Sequence, residues 1–265
     1  MILTSENYFS FEADREYISV SQYKDFIGSM GKLGCEERAL AKLSGQWEMP
    51  KTSALLVGSY VDAHFEGTLD VFKAQHPEIF TRSGDLKAEY RKANDIINRI
   101  ERDELFMMAM SGAKQIIMTG EIGGAKWKCK IDSYIENIAI VDLKVMKSLT
   151  ESFWVKDADR MDFMTYWGYD IQAAAYQEIV RQNTGKTLPF YIAAASKETE
   201  PDIGLYGFTD EELKEKLLEV EANTPKIVAL KSGEVEPIRC ERCDYCKHTK
   251  ILKAPVHHSE ILMEV

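Results

Sequence analysis

The amino-acid sequence predicts an α/β (α+β) fold, in which helices flank a central mixed sheet that contains an antiparallel meander. Three observations predict this class. Apolar residues with helical spacing recur as far as residue 111, and three strand-like runs follow between 114 and 145. A further helical segment then leads into two more strand-like runs, which end at 208. This order of helix, meander, helix and strand is typical of a sheet covered by helices.

Capping residues and alternation place the predicted elements. Ser19 and Ser21 precede a helix from Gln22, and Thr52 precedes the helical pattern ALLVGSYVDAHFEG, because hydroxyl oxygens accept the free backbone N–H groups of a first turn. Later helices are predicted over 86–111, 163–182 and 210–223, with Thr209 as the cap of the last one. Strands are predicted over Lys114–Met118, Lys126–Ile135, Ile138–Val145, Leu188–Ala195 and Gly204–Phe208.

The composition sets limits on the class of protein. The chain has 265 residues, of which 45% are hydrophobic and 10% aromatic, and this is enough for a buried core. We therefore predict a single domain over 1–265, with a cysteine-containing tail over about 236–265. The net charge of −10 argues against a simple nucleic-acid coat protein, since phosphate binding needs positive charge. It does not argue against a nuclease whose metal site is built from carboxylates.

The sequence also carries an expectation about the compartment. No run of apolar residues approaches the ~18 that a membrane span needs, and the first 20 residues lack the hydrophobic run of a signal peptide. We expect an intracellular, cytoplasmic protein without a membrane partner. In a reducing compartment clustered cysteines are candidates for metal ligands rather than for disulfides.

The most informative segment is the predicted hairpin KWKCKIDSYIENIAIVDLKV. With its turn centred on Asn137, Asp132 lies opposite Asp142 and Lys130 lies opposite Lys144. Directly opposed residues project from one face of a sheet, about 5 Å apart. Asp142 and Lys144 also share a face, because side chains alternate along a strand. The hairpin therefore predicts two carboxylates and an ammonium group at one place.

Such a cluster indicates metal-assisted hydrolysis. Opposed carboxylates are destabilising unless a cation neutralises them, and their hard oxygen atoms suit Mg²⁺ or Mn²⁺. A lysine beside them can stabilise the charge that develops on a phosphate during hydrolysis. The alternative is structural: Asp132 and Asp142 are solvated, and Lys144 pairs with one of them.

Two weaker signals lie on predicted helices. His64 comes late in the helical segment GSYVDAHFEG and is either a packed histidine or a metal ligand. Gln172 and Tyr176 are four residues apart in YDIQAAAYQ, so they share one helix face. The three alanines between them allow that face to approach a sheet or a ligand closely.

Three cysteines lie close together in the C-terminal tail. Cys240, Cys243 and Cys246 form a C-x-x-C-x-x-C pattern, and three thiolates need a fourth ligand to hold zinc or an iron–sulfur cluster. Cys35 and His248 are both available for that role.

Taken together and in this order, the motifs resemble the PD-(D/E)XK nuclease superfamily. They are the histidine of Gly58–His64, then Asp132, then Asp142-Leu-Lys144, then Gln172-x-x-x-Tyr176. Within the superfamily the chain is most similar to the RecB-like branch and to phage and prophage exonucleases such as exodeoxyribonuclease VIII. The resemblance implies a restriction-endonuclease-like core. It also implies that His64, Asp132 and Asp142 bind the metal.

The resemblance further implies that Lys144 is catalytic, while Gln172 and Tyr176 support it and contact DNA. The implied activity is that of a Mg²⁺-dependent DNA exonuclease in phage-type recombination or DNA end processing. DNA is the implied partner, with a single-strand annealing recombinase and homo-oligomers as further ones. Some RecB-like nucleases hold a [4Fe–4S] cluster through one N-terminal and three C-terminal cysteines, a layout that Cys35 and the tail resemble.

Two alternatives stay open at this point. One is an iron–sulfur nuclease of CRISPR adaptation or end resection. The other is a non-catalytic module that binds nucleic acid on the same fold.

Overall fold

A four-stranded mixed sheet lies at the centre of the fold. The computed structural model describes residues 1–48, 52–155, 159–252, 254–255 and 257–258. The strands are β1 (Gly28–Ser29), β2 (Lys32–Leu33), β3 (Ile116–Ile122), β4 (Ala125–Ile131), β5 (Ser133–Ile135), β6 (Ala139–Met146), β7 (Phe153–Val155), β8 (Asp159–Met161), β9 (Phe190–Ser196) and β10 (Ile203–Gly207). The central sheet has the order β10-β9-β6-β5, while β1-β2, β3-β4 and β7-β8 form two-stranded sheets.

Helices cover this sheet. They are α1 (Phe11–Glu16), α2 (Val20–Phe26), α3 (Glu36–Leu43), α4 (Ser53–Glu66), α5 (Leu69–Gln75), α6 (Ala88–Glu101), α7 (Glu104–Ala109), α8 (Phe163–Tyr166), α9 (Tyr169–Thr184), α10 (Asp210–Ser232) and α11 (Asp244–His248). A short 3₁₀ turn, Pro77–Ile79, follows α5. No helix within the described residues has both the length and the apolar character that a bilayer crossing requires.

The two central strands, β6 and β9, are parallel and are buried on both faces. Alternate residues of each strand enter different cores: Ile140 and Ile192 pack with α2, α9 and α10, whereas Val141 and Ala193 pack with α4, α6 and α7. This is why both strands read as continuous apolar runs in the sequence. The predicted mixed sheet flanked by helices is confirmed.

The predicted meander is divided at Asp132. Its two hairpins are separate, because β3 pairs with β4 and β5 pairs with β6. The predicted register holds where β5 exists, with Ser133 opposite Val141, but pairing stops there. The prediction that Lys130 lies opposite Lys144 is wrong, since Lys130 pairs with Ile117 of β3.

Three predicted helices also have different bounds. The segment 163–182 is divided into α8 and α9, which are separated by Trp167 and Gly168. The segment 86–111 is not one helix but two, because the Asp103 carboxylate accepts a hydrogen bond from Phe106 N at 2.9 Å and starts α7. The helix predicted over 210–223 runs on through Pro225 to Ser232, and its first turn carries a capping box between Thr209 and Glu212.

Candidate active site and cysteine centre

A cavity of about 450 Å³ opens beside the carboxyl-terminal half of β6. It lies between α2, α9 and the turn that precedes α1. Ligand sites of α/β folds are commonly found at the carboxyl ends of strands. The charged side chains that line it are Asp14, Lys24, Asp25, Lys42, Asp62, Lys128, Lys130, Asp132, Asp142 and Lys144.

Asp142 and Lys144 form an ion pair at the base of this cavity. The period of two along β6 places both side chains on one face, as predicted, and Lys144 Nζ contacts Asp142 Oδ2. Asp142 is only 3% exposed. Its Oδ1 accepts a hydrogen bond of 2.6 Å from Gln172 Nε2. Beyond the ion pair, Oδ2 has no hydrogen-bond partner among the described residues.

Asp132 reaches the same place from the bend between β4 and β5. Its Oδ2 accepts a hydrogen bond of 3.0 Å from Leu143 N, and its Oδ1 accepts one of 3.2 Å from Gln115 Nε2. Burial, reinforced by the charge of Asp142, raises the pKa of Asp132 to about 7. The bend therefore replaces strand pairing by a side-chain contact and still brings the two carboxylates together.

Lys144 remains an ammonium group in this setting. Burial by itself would lower its pKa, but the carboxylates of Asp142 and Asp132 outweigh that effect and raise the pKa above its usual value. Its side chain is 25% exposed, so the ammonium group can reach a ligand in the cavity.

His64 and Asp62 differ in their position relative to the cavity. His64 Nε2 lies 2.8 Å from Glu101 Oε1, and His64 is not part of the cavity wall, so the structure does not bring it to the two carboxylates. Asp62, from the same helix, lines the cavity instead. Burial and the charge of Asp132 raise its pKa well above the usual range. Sequence reasoning missed Asp62, although a carboxylate between the buried Val61 and Ala63 is the signal that could have found it.

Gln172 and Tyr176 share a face of α9, as predicted, and both line the cavity. Gln172 holds Asp142 by the hydrogen bond already described. The Tyr176 hydroxyl lies 3.4 Å from the Lys130 carbonyl oxygen, to which it donates, and its ring meets Phe190 edge to face. The two side chains thus connect α9 to β6 and β4.

Lys24 is a lysine of the cavity wall that the sequence analysis did not single out. Its ammonium group donates to the Trp167 carbonyl oxygen at 3.1 Å and lies 5.6 Å from the centre of the Tyr169 ring. Burial, together with the nearby charge of Lys144, lowers the pKa of Lys24 to about 8. It adds positive charge to a site that would receive a phosphate.

Four cysteines form a separate centre at the start of α3, where Cys35 is the N-cap residue. The sulfur atoms of Cys35, Cys240, Cys243 and Cys246 all lie within 4.8 Å of one another. The Cys35–Cys246 and Cys240–Cys246 sulfur distances are 3.6 and 3.8 Å. Of the two candidates for a fourth ligand, Cys35 therefore joins the tail cysteines, whereas the His248 ring packs against Trp47.

The surroundings of these sulfur atoms suit metal binding. Burial would raise the pKa of Cys240, but hydrogen bonds from the backbone N–H groups of Arg242 and Cys243 outweigh it and lower the pKa to about 7. Burial raises the pKa of the Cys246 thiol to about 12. A cation would offset this penalty, because metal ligation deprotonates thiols. The group could therefore bind a metal ion.

A family model and a solved structure match most of the chain. The model of a family described as a PDDEXK-like domain of unknown function, DUF3799, matches residues 19–249. The crystal structure of a candidate exonuclease from Eubacterium rectale is 60% identical and superposes with a TM-score of 0.96, covering 98% of each chain. A second solved structure, that of SSO0001, is 11% identical, with a TM-score of 0.33 over 81% of this chain and 92% of that one. No curated protein matches the chain.

Proposed function

This chain belongs to the PDDEXK-like family DUF3799, and from that premise we propose that it is a metal-dependent DNA exonuclease. The observation that carries the proposal is the ion pair of the buried Asp142 with the partly exposed Lys144, in a cavity that Asp132 and Asp62 also line. The similarity to the candidate exonuclease from Eubacterium rectale supports the exonuclease assignment. We place the activity in phage-type recombination or DNA end processing, where a single-strand annealing recombinase would receive the product and the enzyme could act as a homo-oligomer.

The residues present fit a divalent cation. Asp62, Asp132 and Asp142 line one cavity, and burial together with the charge of a neighbouring carboxylate raises the pKa values of Asp62 and Asp132. Asp142 Oδ2 is buried with only an ammonium group against it. A cation with a preference for hard oxygen ligands relieves this repulsion, which favours Mg²⁺ or Mn²⁺. Asp62, Asp132 and Asp142 would hold it, with Asp62 in the role that the resemblance assigns to His64.

When bound, the cation supplies an activated water molecule and offsets the negative charge of the phosphate. Lys144 keeps its proton and donates a hydrogen bond to the attacking water or to the phosphate oxygen on which charge develops. Gln172 holds the Asp142 carboxylate in place through the 2.6 Å hydrogen bond. Lys24 adds positive charge near Lys144, because the two ammonium groups lie 5.6 and 5.5 Å from the Tyr169 ring centre.

The function is tested with end-labelled linear DNA and closed circular DNA of the same sequence, with Mg²⁺ and with EDTA. We expect Mg²⁺-dependent release of label from the linear DNA, while the circle survives. Cleavage of the circle would make the protein an endonuclease. DNA binding without hydrolysis under Mg²⁺ and under Mn²⁺ would favour the non-catalytic module instead, an alternative against which the complete set of Asp132, Asp142 and Lys144 argues.

We propose in addition that the four cysteines bind a single zinc ion. A tetrahedral site with zinc–sulfur bonds of about 2.3 Å has sulfur–sulfur edges of about 3.8 Å. The distances of 3.6 and 3.8 Å match those edges. Four atoms within 4.8 Å of one another enclose one ion, which favours zinc over the larger [4Fe–4S] cluster that the resemblance implies.

Elemental analysis of protein purified without oxygen tests this second proposal. We expect one zinc per chain and no visible absorption. Stoichiometric iron with a brown colour would instead favour the iron–sulfur nuclease of CRISPR adaptation or end resection. The absence of both metals would leave the cysteines as a reduced structural group.

A further inference from the structure

Phe9 is a large aromatic side chain that stands 71% exposed at the rim of the active-site cavity. It belongs to the turn that precedes α1 and is not covered by the rest of the fold. Single exposed apolar residues are ordinary on protein surfaces. Phe9 differs from such residues in two ways: it lies beside the active-site carboxylates, and its neighbours hold it in place.

The backbone on either side of Phe9 is firmly held. Tyr8 is 5% exposed, and its carbonyl oxygen accepts a hydrogen bond from the buried Lys128 ammonium group. On the other side, Ser10 caps α1 by accepting a hydrogen bond of 3.2 Å from Ala13 N. The Tyr8 ring meets the Phe9 ring edge to face, with 4.9 Å between the ring centres. The exposed ring therefore projects from a rigid support rather than from a loose end.

Phe9 also has a cationic neighbour that faces the cavity. The Lys130 ammonium group lies 4.9 Å from the centre of the Phe9 ring, and Lys130 lines the cavity beside Asp132. A lysine that can contact phosphate next to an aromatic face that can stack on a base is the combination by which proteins bind single-stranded nucleic acid.

Two cavities meet at this ring. The second one, of about 420 Å³, lies along α4 and α5 and is also lined by Ser59, Thr68 and Phe72. Four residues line both cavities: Phe9, Asp62, Lys130 and Asp132. Both volumes fall within the range of about 300–1,000 Å³ that is usual for ligand sites. A phosphate bound by Lys130 would therefore have room for a nucleoside in the space next to the Phe9 ring.

We propose that Phe9 is the base-stacking residue of this site, and that the substrate is a DNA strand whose base next to the attacked phosphate is unpaired. The inference rests on the proposed nuclease function and specifies its substrate class. A base can stack on the ring only when it has left its own stack and its partner strand. Single strands and frayed ends are therefore preferred over intact duplex.

The test compares Phe9→Ala, Phe9→Leu and Phe9→Trp, with Phe11→Ala as the matched control. Phe11 is an exposed aromatic residue, at 52%, two positions away, and it does not line the cavity. Affinity is measured by fluorescence anisotropy in an Asp142→Asn background with Mg²⁺, so that the strand stays intact. Each variant is tested with a short single strand and with the same strand lacking the base next to the labelled end.

We expect Phe9→Ala and Phe9→Leu to weaken binding of the intact strand by about 5- to 100-fold. Both should leave binding of the abasic strand unchanged, because the stacking partner is already missing. Phe9→Trp should restore binding, and Phe11→Ala should have no effect. All four variants should unfold at nearly the same temperature as the Asp142→Asn protein, because both rings are exposed.

Two results would overturn the inference while leaving the nuclease in place. One is unchanged affinity of Phe9→Ala in a protein whose wild type cleaves DNA. The other is an equal loss of affinity for the intact and abasic strands, which would make Phe9 a structural residue. A wild-type protein that neither binds nor cleaves DNA would overturn the proposed function and this inference together.

Discussion

At the scale of single residues, the site depends on the carboxyl group of Asp142, which is buried and contacts both Lys144 and Gln172. We expect Asp142→Asn to reduce Mg²⁺-dependent cleavage to below about 1% of wild type, because a neutral amide lacks the negative charge with which the carboxylate would bind the cation. The control is Asp95→Asn, at an exposed position on α6. Rates come from end-labelled DNA and folding from circular dichroism. Substantial activity in Asp142→Asn would show that this carboxylate does not bind the metal.

Lys144 should contribute to turnover but not to metal binding. Lys144→Ala should lower kcat by about 10²–10³-fold, which is the usual effect of removing one group that stabilises a developing charge. The affinity for Mn²⁺, measured by calorimetric titration, should change little. Lys147→Ala, at an ammonium group on a side chain that is 84% exposed, is the matched control. An equal loss of metal affinity and turnover would mean that Lys144 only supports Asp142.

Asp132 makes the stability of the metal-free protein depend on pH. Its pKa is about 7 in the folded protein, against about 3.9 in an unfolded chain. Between these values the folded state holds a proton that the unfolded state has released, so stability falls as pH rises through this range. Asn cannot titrate. Its amide oxygen can still accept from Leu143 N, and its amide nitrogen can donate to Gln115 Oε1, which is buried and has no hydrogen-bond partner among the described residues.

We therefore expect Asp132→Asn in EDTA to raise Tm at pH 8 by about 2 °C or more, which corresponds to about 1 kcal/mol, and to raise it less at pH 5. Differential scanning calorimetry at both values measures this. A gain that is the same at pH 5 and pH 8 would contradict the raised pKa of Asp132.

At the scale of elements, α4 decides which side chain faces the cavity. Successive residues of a helix are rotated by about 100°, so Asp62 and His64 point about 200° apart and cannot both face one site. We expect Asp62→Asn to weaken Mn²⁺ binding and cleavage at least about 10-fold, and His64→Ala to leave both near wild type. Calorimetric titration and cleavage rates measure the two. A larger effect of His64→Ala would restore the histidine as the metal ligand.

The β-hairpins show what local pattern can and cannot predict. The turn at Asn137, with a positive φ of 61°, and the register of β5 against β6 follow from residues close together in the chain. The bend at Asp132 does not. It depends on the pairing of β4 with β3. It also depends on the hydrogen bond from Leu143 N to the Asp132 carboxylate, which takes the place of strand pairing.

At the scale of the whole molecule, the cysteine centre ties Cys35 to a tail more than two hundred positions away. If one metal holds all four sulfur atoms, Cys35→Ser and Cys246→Ser should each lower Tm by about 5 °C or more, and the double variant should lower it no further. Cys129→Ser, at a buried cysteine of β4 outside the centre, is the control. The loss in Tm that it causes should add to the loss caused by Cys35→Ser or by Cys246→Ser. Additive losses for Cys35 and Cys246 would contradict a shared site.

The sequence alone determined the class of fold, the Asp142-Leu-Lys144 pair on one strand face, the shared face of Gln172 and Tyr176, and the tail cysteines. These features depend on strand and helix periods, which neighbouring residues establish. The tertiary structure alone decided which residues from distant parts of the chain lie close together. It places Asp62 rather than His64 at the cavity, with Lys24 and Phe9 on the cavity wall. It also places Cys35 rather than His248 with the tail cysteines. Such meetings depend on how distant elements pack, and no periodic pattern in the sequence encodes them.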